Sequence, residues 1–421
     1  MADRKKVVIV GGGFGGIKLA KDLAREDVDV LLVDRHNYHL FQPLLYQLST
    51  AMLGTEEIAY PIRNFFRENK NVEFFMAKAQ GVDQERKVLL TNHGEISYDY
   101  LVLAAGATNN FFGMKEVAEH AYGMKSLQEA LHIRNHVLHM FERANKHEDD
   151  EATRRKMLTF VVVGGGPTGV EEAGALIELI NIQKKEFHNL DFNEVKVILL
   201  EGTNKLLAMM PEDMQQETVR VLRKKGVDVR LEAQVSGYDG DVLKLKDGTE
   251  IPSSTVIWGA GVKAVPFIAN CGGEVDRAGR VIVDEYLRVK GSDCVFAIGD
   301  CANYCHGTER PLPTIAPVAT QQAAACAVNI MKLVRGETNL EPLHYKDLGT
   351  MATIGKGDAV MSWKGHTMSG FFAWCAWLFV HLIRLAGPYT NFTVAIKWIW
   401  NWIAGIRLGR IITNIKLDPE N

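Results

Sequence analysis

The strongest constraint on what this chain can fold into is an internal repeat. A β-branched run, a glycine-rich turn and a helical pattern occur at Val7–Ala24 and again at Phe160–Glu178. In VVIVGGGFGG, Gly11, Gly13 and Gly16 satisfy G-x-G-x-x-G directly after a predicted strand, and Asp34 closes the next strand 23 residues after Gly11. The first glycine permits the tight turn, the second lets the backbone approach a pyrophosphate, and the third allows close helix packing. The helix N-terminus attracts the phosphate charge. Asp34 is placed to accept hydrogen bonds from an adenosine ribose.

In FVVVGGGPTGVE the same positions fall on Gly164, Gly166 and Gly169, and Glu201 ends the following strand, 37 residues after Gly164. That exceeds the roughly 20-residue spacing of the simple fingerprint, and an enlarged helix and loop over Leu179–Asn193 accounts for it. A carboxylate at Glu201 bonds a ribose 2′-hydroxyl and repels a 2′-phosphate, so NADH is expected over NADPH. Two dinucleotide units in one chain imply a hydride relay, in which the nicotinamide stacks on a tightly held flavin.

Further strands are expected at Asp99–Ala107, Lys196–Glu201 and Thr255–Gly261, with a hairpin turn at Asp247-Gly248. Asp293–Asp300 reads as a buried strand that returns to the first unit's sheet, which inserts one dinucleotide domain into the other. An amphipathic helix is expected over Ser126–Asn145, and 146–156 (KHEDDEATRRK) reads as a solvated linker. On that helix His132, His136 and His139 share one face at a spacing that could hold a metal. Neighbouring Arg134 and Glu142 point instead to a solvated helix, and no metal is expected.

The net charge of −3 gives no global attraction to nucleic acid. Six scattered cysteines without a Cys-x-x-Cys pair argue for reduced thiols. The strand-like run that begins at Lys5 leaves no room for a secretory signal, so secretion is not expected.

From Ser362 the composition changes. Six of the seven tryptophans lie beyond it, and no acidic residue occurs between Asp358 and Asp418. The apolar stretches Phe371–Ala386 and Phe392–Ile412 are interrupted by Arg384, Lys397 and Arg407, too soon for spans of about 20 apolar residues. They read as surface-lying helices that place indoles at the headgroup level while Arg and Lys meet anionic lipid. A homodimer interface or a self-packed helical pair is the other use of such a surface. Truncation after Leu348 is expected to leave a protein that reduces soluble quinones without binding liposomes.

These features resemble the type II NADH:quinone oxidoreductases, single-chain flavoproteins of the two-dinucleotide-binding-domain superfamily. The resemblance covers nearly the whole chain and rests on VVIVGGGFGG, HLFQPLLYQLSTAML, YLVLAAGA, LTFVVVGGGPTGVEEAGAL, VIWGAGV, VFAIGD, APVATQQ, GTMATIGK and SGFFAWCAWLFVHL. It implies an α/β fold of two Rossmann-like domains plus a C-terminal amphipathic helical membrane-binding region. The implied boundaries are 1–118 and 276–345 for FAD, 119–275 for NADH and 346–421 for the tail.

The resemblance assigns Gly11, Gly13, Gly16, Asp34, Gly106, Asp300 and Ala319 to FAD, and Gly164, Gly166, Gly169, Glu201 and Gly261 to NADH. Glu171 falls where the family keeps a carboxylate for positioning or proton handling. Where the family often shows A-Q-x-A-x-Q, this chain reads Ala316-Pro317-Val318-Ala319-Thr320-Gln321. The first glutamine is absent and Gln321 becomes the polar quinone candidate. Implied partners are a membrane quinone, ubiquinone or menaquinone, and the bilayer surface at the cytoplasmic face of an inner membrane, without proton pumping.

Related activities fit less well. Sulfide:quinone oxidoreductases and thiol-disulfide reductases need redox cysteines early in the chain, and none precedes Cys271. An NADH-sensing flavoprotein of the apoptosis-inducing-factor type, or an NADH reductase of a small redox protein, stands as the alternative.

Overall fold

The structure is a computed structural model and describes residues 4–146, 150–307 and 309–413. Lys416 and Asp418 of the acid-poor tail, and 147–149 of the charged run, lie outside those residues. The chain forms two compact units, one of Met1–Leu40, Tyr60–Thr108 and Val262–Asp347, the other of Phe41–Ala59, Asn109–Gly261 and Leu348–Asn421.

The first unit is built on a five-stranded parallel sheet in the order Val295–Ala297, Tyr100–Leu103, Lys6–Val10, Asp29–Asp34, Val72–Met76. Its inner strands Lys6–Val10 and Tyr100–Leu103 are buried on both faces, as in parallel sheets generally, while the edge strand Val72–Met76 buries only Phe74. The strand Val295–Ala297 does return to this sheet, beside Tyr100–Leu103. Helices Phe14–Leu23 and Ala316–Val334 pack together in this unit, with Gly15 facing Ile298 and the Ala319 carbonyl.

The second unit repeats the plan: Tyr122–Gly123, Thr255–Trp258, Thr159–Val163, Lys196–Leu200, Val227–Arg230, all parallel. In both sheets the strand that feeds the glycine turn is third of five, and the strand that ends in the acid is next to it. The helix after the second turn, Pro167–Gln183, has 17 residues against 10 for Phe14–Leu23, which accounts for much of the wider spacing to Glu201.

Two local expectations change. Glu151–Met157 is a helix, capped by Asp150 Oδ1 accepting from Thr153 N at 2.9 Å, with Arg154 paired to Glu194 at 2.7 Å. The described part of the run is therefore helix: Asp150 caps it, and Arg154, Arg155 and Lys156 make ion pairs with Glu194, Glu151 and Asp241. Helix Leu127–Ala144 starts at a Ser126/Glu129 capping box, but Arg134 on it is buried, not solvated. His136 of the same helix bonds the Ser254 carbonyl at 3.0 Å and Thr255 Oγ1 at 2.9 Å.

The tail joins the second unit through a three-stranded antiparallel sheet, Thr350–Gly355, Asp358–Trp363 and His366–Gly370, then helices Phe371–Arg384 and Pro388–Ala404. The expected boundaries place 41–59 with the FAD domain and give 346–421 a region of its own. The compact units group Phe41–Ala59 and Leu348–Asn421 with Asn109–Gly261, and polar contacts tie the first of these stretches to the tail helices. Trp398 Nε1 donates to Gln47 Oε1 at 2.7 Å, Lys397 pairs with Glu57 at 2.6 Å, and Arg407 donates to the Thr50 carbonyl at 2.7 Å.

Candidate functional site

The two glycine turns are geometric copies. Gly11 N donates to the Val33 carbonyl and Gly164 N to the Leu200 carbonyl, each at 2.8 Å. Both glycines have φ +114°, a left-handed conformation that suits glycine. A methyl group on Gly16 would overlap the Gly11 carbonyl oxygen, and one on Gly169 would overlap that of Gly164. These third glycines let the helix start directly on the strand end.

Gly13 and Gly166 differ from the rest of the motif: a side chain at either would meet open space. Packing does not require glycine there, so the requirement comes from whatever approaches the turn. Each is the N-cap of its helix, with no side-chain cap and no acid in the first turn. The helix dipole and the first-turn amides therefore face the open side with no acid of their own first turn competing for them.

The acids are equally matched. Asp34 Oδ2 accepts from Gly12 N at 2.6 Å and Oδ1 from His36 N at 2.7 Å. Glu201 Oε2 accepts from Gly165 N at 2.6 Å and Oε1 from Thr203 N at 2.7 Å. Each carboxylate is thereby held at the turn and keeps lone pairs for a ribose.

In the first unit Gly106 lies in the turn after Tyr100–Leu103 at φ +73°, with open space beside it. Asp300 sits in the short 3-10 helix Gly299–Cys301, and a methyl group on Gly299 would lie 3.3 Å from Ala319 Cβ. The first unit thus gathers Gly11, Gly13, Gly16, Asp34, Gly106, Asp300 and Ala319 near the carboxyl ends of its parallel strands. In the second, the Gly259–Gly261 turn packs on Gly164 through Ala260, and Gly261 at φ +91° faces the Phe112 ring.

Glu171 is buried on helix Pro167–Gln183, where its Oε1 accepts from Thr353 N at 3.3 Å. Burial pushes its carboxyl up to about 8. The Trp377 indole counters that burial from beside it, although its Nε1 makes no hydrogen bond of normal geometry. Trp377 stacks on His381 at 3.8 Å.

Gln321 is engaged at both ends of its amide: Nε2 donates to the Lys346 carbonyl and Oε1 accepts from Lys346 N, each at 2.9 Å. Pro317 lies in the first turn of the same helix. Its neighbour Gln322, which motif reading passed over, is 1% exposed and accepts from Gly299 N at 2.6 Å, so it buttresses the Gly-Asp turn. His39, also passed over, bonds the Gly12 carbonyl at 2.9 Å through Nδ1. Its signal was the HLFQ segment, whose histidine reads as an ordinary strand residue.

Residues 5–323 match the pyridine nucleotide-disulphide oxidoreductase family. The chain is 39% identical over 412 residues to the type II NADH:quinone oxidoreductase NdhA of Mycobacterium tuberculosis, with 94% of this chain and 86% of that one covered. The chain belongs to the type II NADH:quinone oxidoreductases. It is also 38% identical to the type II NADH:quinone oxidoreductase Ndh of the same organism, covering 98% of this chain and 91% of that one. The enzyme oxidises NADH with FAD and delivers the electrons to a quinone. Its fold is similar to that of NDH2 from Plasmodium falciparum in complex with NADH, at TM-score 0.89 and 22% identity, over 98% of this chain and 100% of that one.

Among the described residues no helix is long and apolar enough to cross a membrane. The two tail helices bury Ala373, Trp377, Val394 and Trp398 on one side and expose Phe372, Phe379, Ile383, Phe392, Trp402 and Ile403 on the other. The tail cations do not all face outward as expected. Arg407 is 3% exposed and paired with Glu178 at 2.7 Å, Arg410 pairs with Glu186, and Lys397 pairs with Glu57. Lys364 and Arg384 are exposed.

Proposed function

We propose that the glycine turn of the first unit, with Asp34, Gly106, Asp300 and Ala319, holds FAD, and that the turn of the second, with Glu201 and Gly261, holds NADH. The observation that carries this is the matched pair of uncapped helix N-termini, each with open space at its second glycine and a backbone-held acid beside it. A pyrophosphate fits each N-terminus and a ribose fits each acid. When bound, FAD would supply the two-electron carrier between NADH and the quinone.

The chain's own residues supply orientation and proton handling. Asp34 and Glu201 hold ribose hydroxyls while the first-turn amides hold phosphate. Quinone reduction consumes two protons and a hydride brings one. Glu171, buried and carrying a proton at neutral pH, is the group for the balance. Gln321, tied to the Lys346 backbone through one N–H and one lone pair of its amide, keeps the other N–H and lone pair for a quinone. The reaction pumps no protons.

The exposed apolar face of the tail docks on a lipid surface, with Lys364 and Arg384 the cations placed to meet anionic headgroups. Such a continuous apolar surface is costly in water. Docking is at the cytoplasmic face of an inner membrane, where NADH is made and a lipid-soluble ubiquinone or menaquinone is reached. The test compares acceptors in steady state: NADH oxidation that is fast with quinone and slow with ferredoxin supports the reading, and the reverse order refutes it.

A further inference from the structure

Helices Leu45–Ser49 and Pro167–Gln183 both belong to the second unit, where Ser49 of the first meets Glu172 of the second. The Ser49 hydroxyl has one hydrogen to donate. Two acceptors lie within its reach, the Tyr46 carbonyl at 2.8 Å and Glu172 Oε2 at 2.7 Å. Thr50 Oγ1 also donates to that carbonyl, at 2.7 Å, but this does not place a hydrogen between Ser49 Oγ and either oxygen. With Glu172 ionised, one of the two short contacts is a bare approach of two oxygens. With Glu172 neutral, its O–H donates to Ser49 Oγ and Ser49 donates to Tyr46, so both contacts hold a hydrogen.

The surroundings agree. Glu172 is 0% exposed, and its Oε1 has no hydrogen-bond partner among the described residues, which is costlier for a carboxylate oxygen than for an acid carbonyl. The cation facing it is Arg407 of the tail, whose guanidinium is bonded to the Thr50 and Ala175 carbonyls and to Glu178. The other titratable groups there are Tyr46 on the short helix and Glu171 and Glu178 on its own helix; strand Thr350–Gly355 contributes none. Burial pushes the Glu172 carboxyl up to about 8 even with Arg407 and Ser49 opposing.

We propose that Glu172 is a positioning residue for quinone reduction that works as a neutral carboxylic acid, its proton joining Ser49 and Tyr46 to the helix that carries Glu171. The Tyr46 ring meets the Trp377 ring edge-on at 6.2 Å, and Trp377 lies beside Glu171. Gln47 Nε2 donates to Tyr46 Oη at 2.8 Å and in turn accepts from Trp398, which fixes the same wall from the tail. Loss of the Glu172 proton removes the tie that seats this wall. The inference rests on the reading of Glu171 as the proton-handling carboxylate.

The test uses the full-length, FAD-loaded enzyme. Infrared titration at pH 7 is expected to show a carboxylic-acid C=O band that E172Q removes and E171Q retains. In rapid mixing of the NADH-reduced enzyme with a soluble quinone, E172A and S49A are expected to slow reoxidation by about tenfold, a typical cost of slight misplacement. E172Q, which can donate to Ser49 as the acid does, is expected to restore it to within about twofold. No band lost in E172Q, or E172Q as slow as E172A, or E172A as fast as wild type, each overturns the proposal. Full-speed reoxidation in E171Q would instead sink the reading of Glu171, while the band assigned to Glu172 would stand.

Discussion

Gly165 donates its backbone N–H to Oε2 of Glu201 at 2.6 Å, and that bond holds the carboxylate at the mouth of the second glycine turn. Glu201→Ala is expected to weaken NADH binding by about 10- to 100-fold, the worth of one or two hydrogen bonds to a charged group. Glu201→Arg is expected to gain NADPH use. Steady-state KM values for both nucleotides check this; unaltered discrimination in Glu201→Ala would remove Glu201 from the site.

Within each turn the second and third glycines are expected to fail differently. Gly16→Ala forces a methyl group into the Gly11 carbonyl and should lower Tm, at a cost of about 1–3 kcal/mol or more. Gly13→Ala meets open space. It should fold with an unchanged apoprotein Tm and lose FAD, as judged by flavin absorbance after gel filtration. A Gly13→Ala protein that keeps its flavin in full would show that nothing approaches the backbone there.

Burial raises Glu171 and Glu172 to about 8 from an ordinary value of 4.5, so both bind protons more tightly folded than unfolded. Their contribution to stability is fully present below pH 4.5 and is lost as pH rises towards 8. Glu172→Gln, with no proton to lose on unfolding, should therefore have a higher Tm than wild type at pH 8, and the difference should vanish near pH 4.5. Thermal scans across that range check the sign. A difference that grows towards acid would contradict it.

Membrane docking is best tested on the surface. Truncation after Leu348 would remove Thr353, Trp377 and Arg407 from the interior of the second unit, so lost liposome binding could not be told from lost folding. Replacing Phe372, Phe379, Phe392 and Ile403 with serine leaves those contacts in place, since all four are exposed. Each side chain is worth roughly 1.5–3 kcal/mol on burial, so the quadruple variant should no longer float with liposomes while it still reduces a soluble quinone. Flotation equal to wild type would place the docking surface elsewhere.

What was legible in the sequence is what short spacing encodes. Gly11 to Gly16, Asp34, and their counterparts at Gly164 to Gly169 and Glu201 sit where a strand, a turn and a helix follow in order. The Ser126 and Asn145 ends of one helix were legible because caps are local. The return of Val295–Ala297 to the first sheet followed from counting strands.

The rest depends on partners far along the chain. Arg407 reads as a lipid-facing cation until Thr50, Ala175 and Glu178 enclose it. Glu172 carries no local mark of its burial; its partner Ser49 lies 123 residues away. Gln321 and Gln322 are adjacent, and only the helix phase decides which bonds Lys346 and which supports Gly299. In the sheet Thr350–Gly370 only the turns Gly355-Lys356-Gly357 and Lys364-Gly365 are local signals, and the pairing of its strands is not.

Electrons pass from NADH through bound flavin to quinone within one polypeptide. Anaerobic mixing of the purified, FAD-loaded enzyme with one equivalent of NADH, followed by one equivalent of a soluble quinone, measures this passage directly. The flavin absorbance should bleach within the first mixing and return fully within the second. A flavin that never bleaches, or one that bleaches and stays so after quinone is added, would contradict the account.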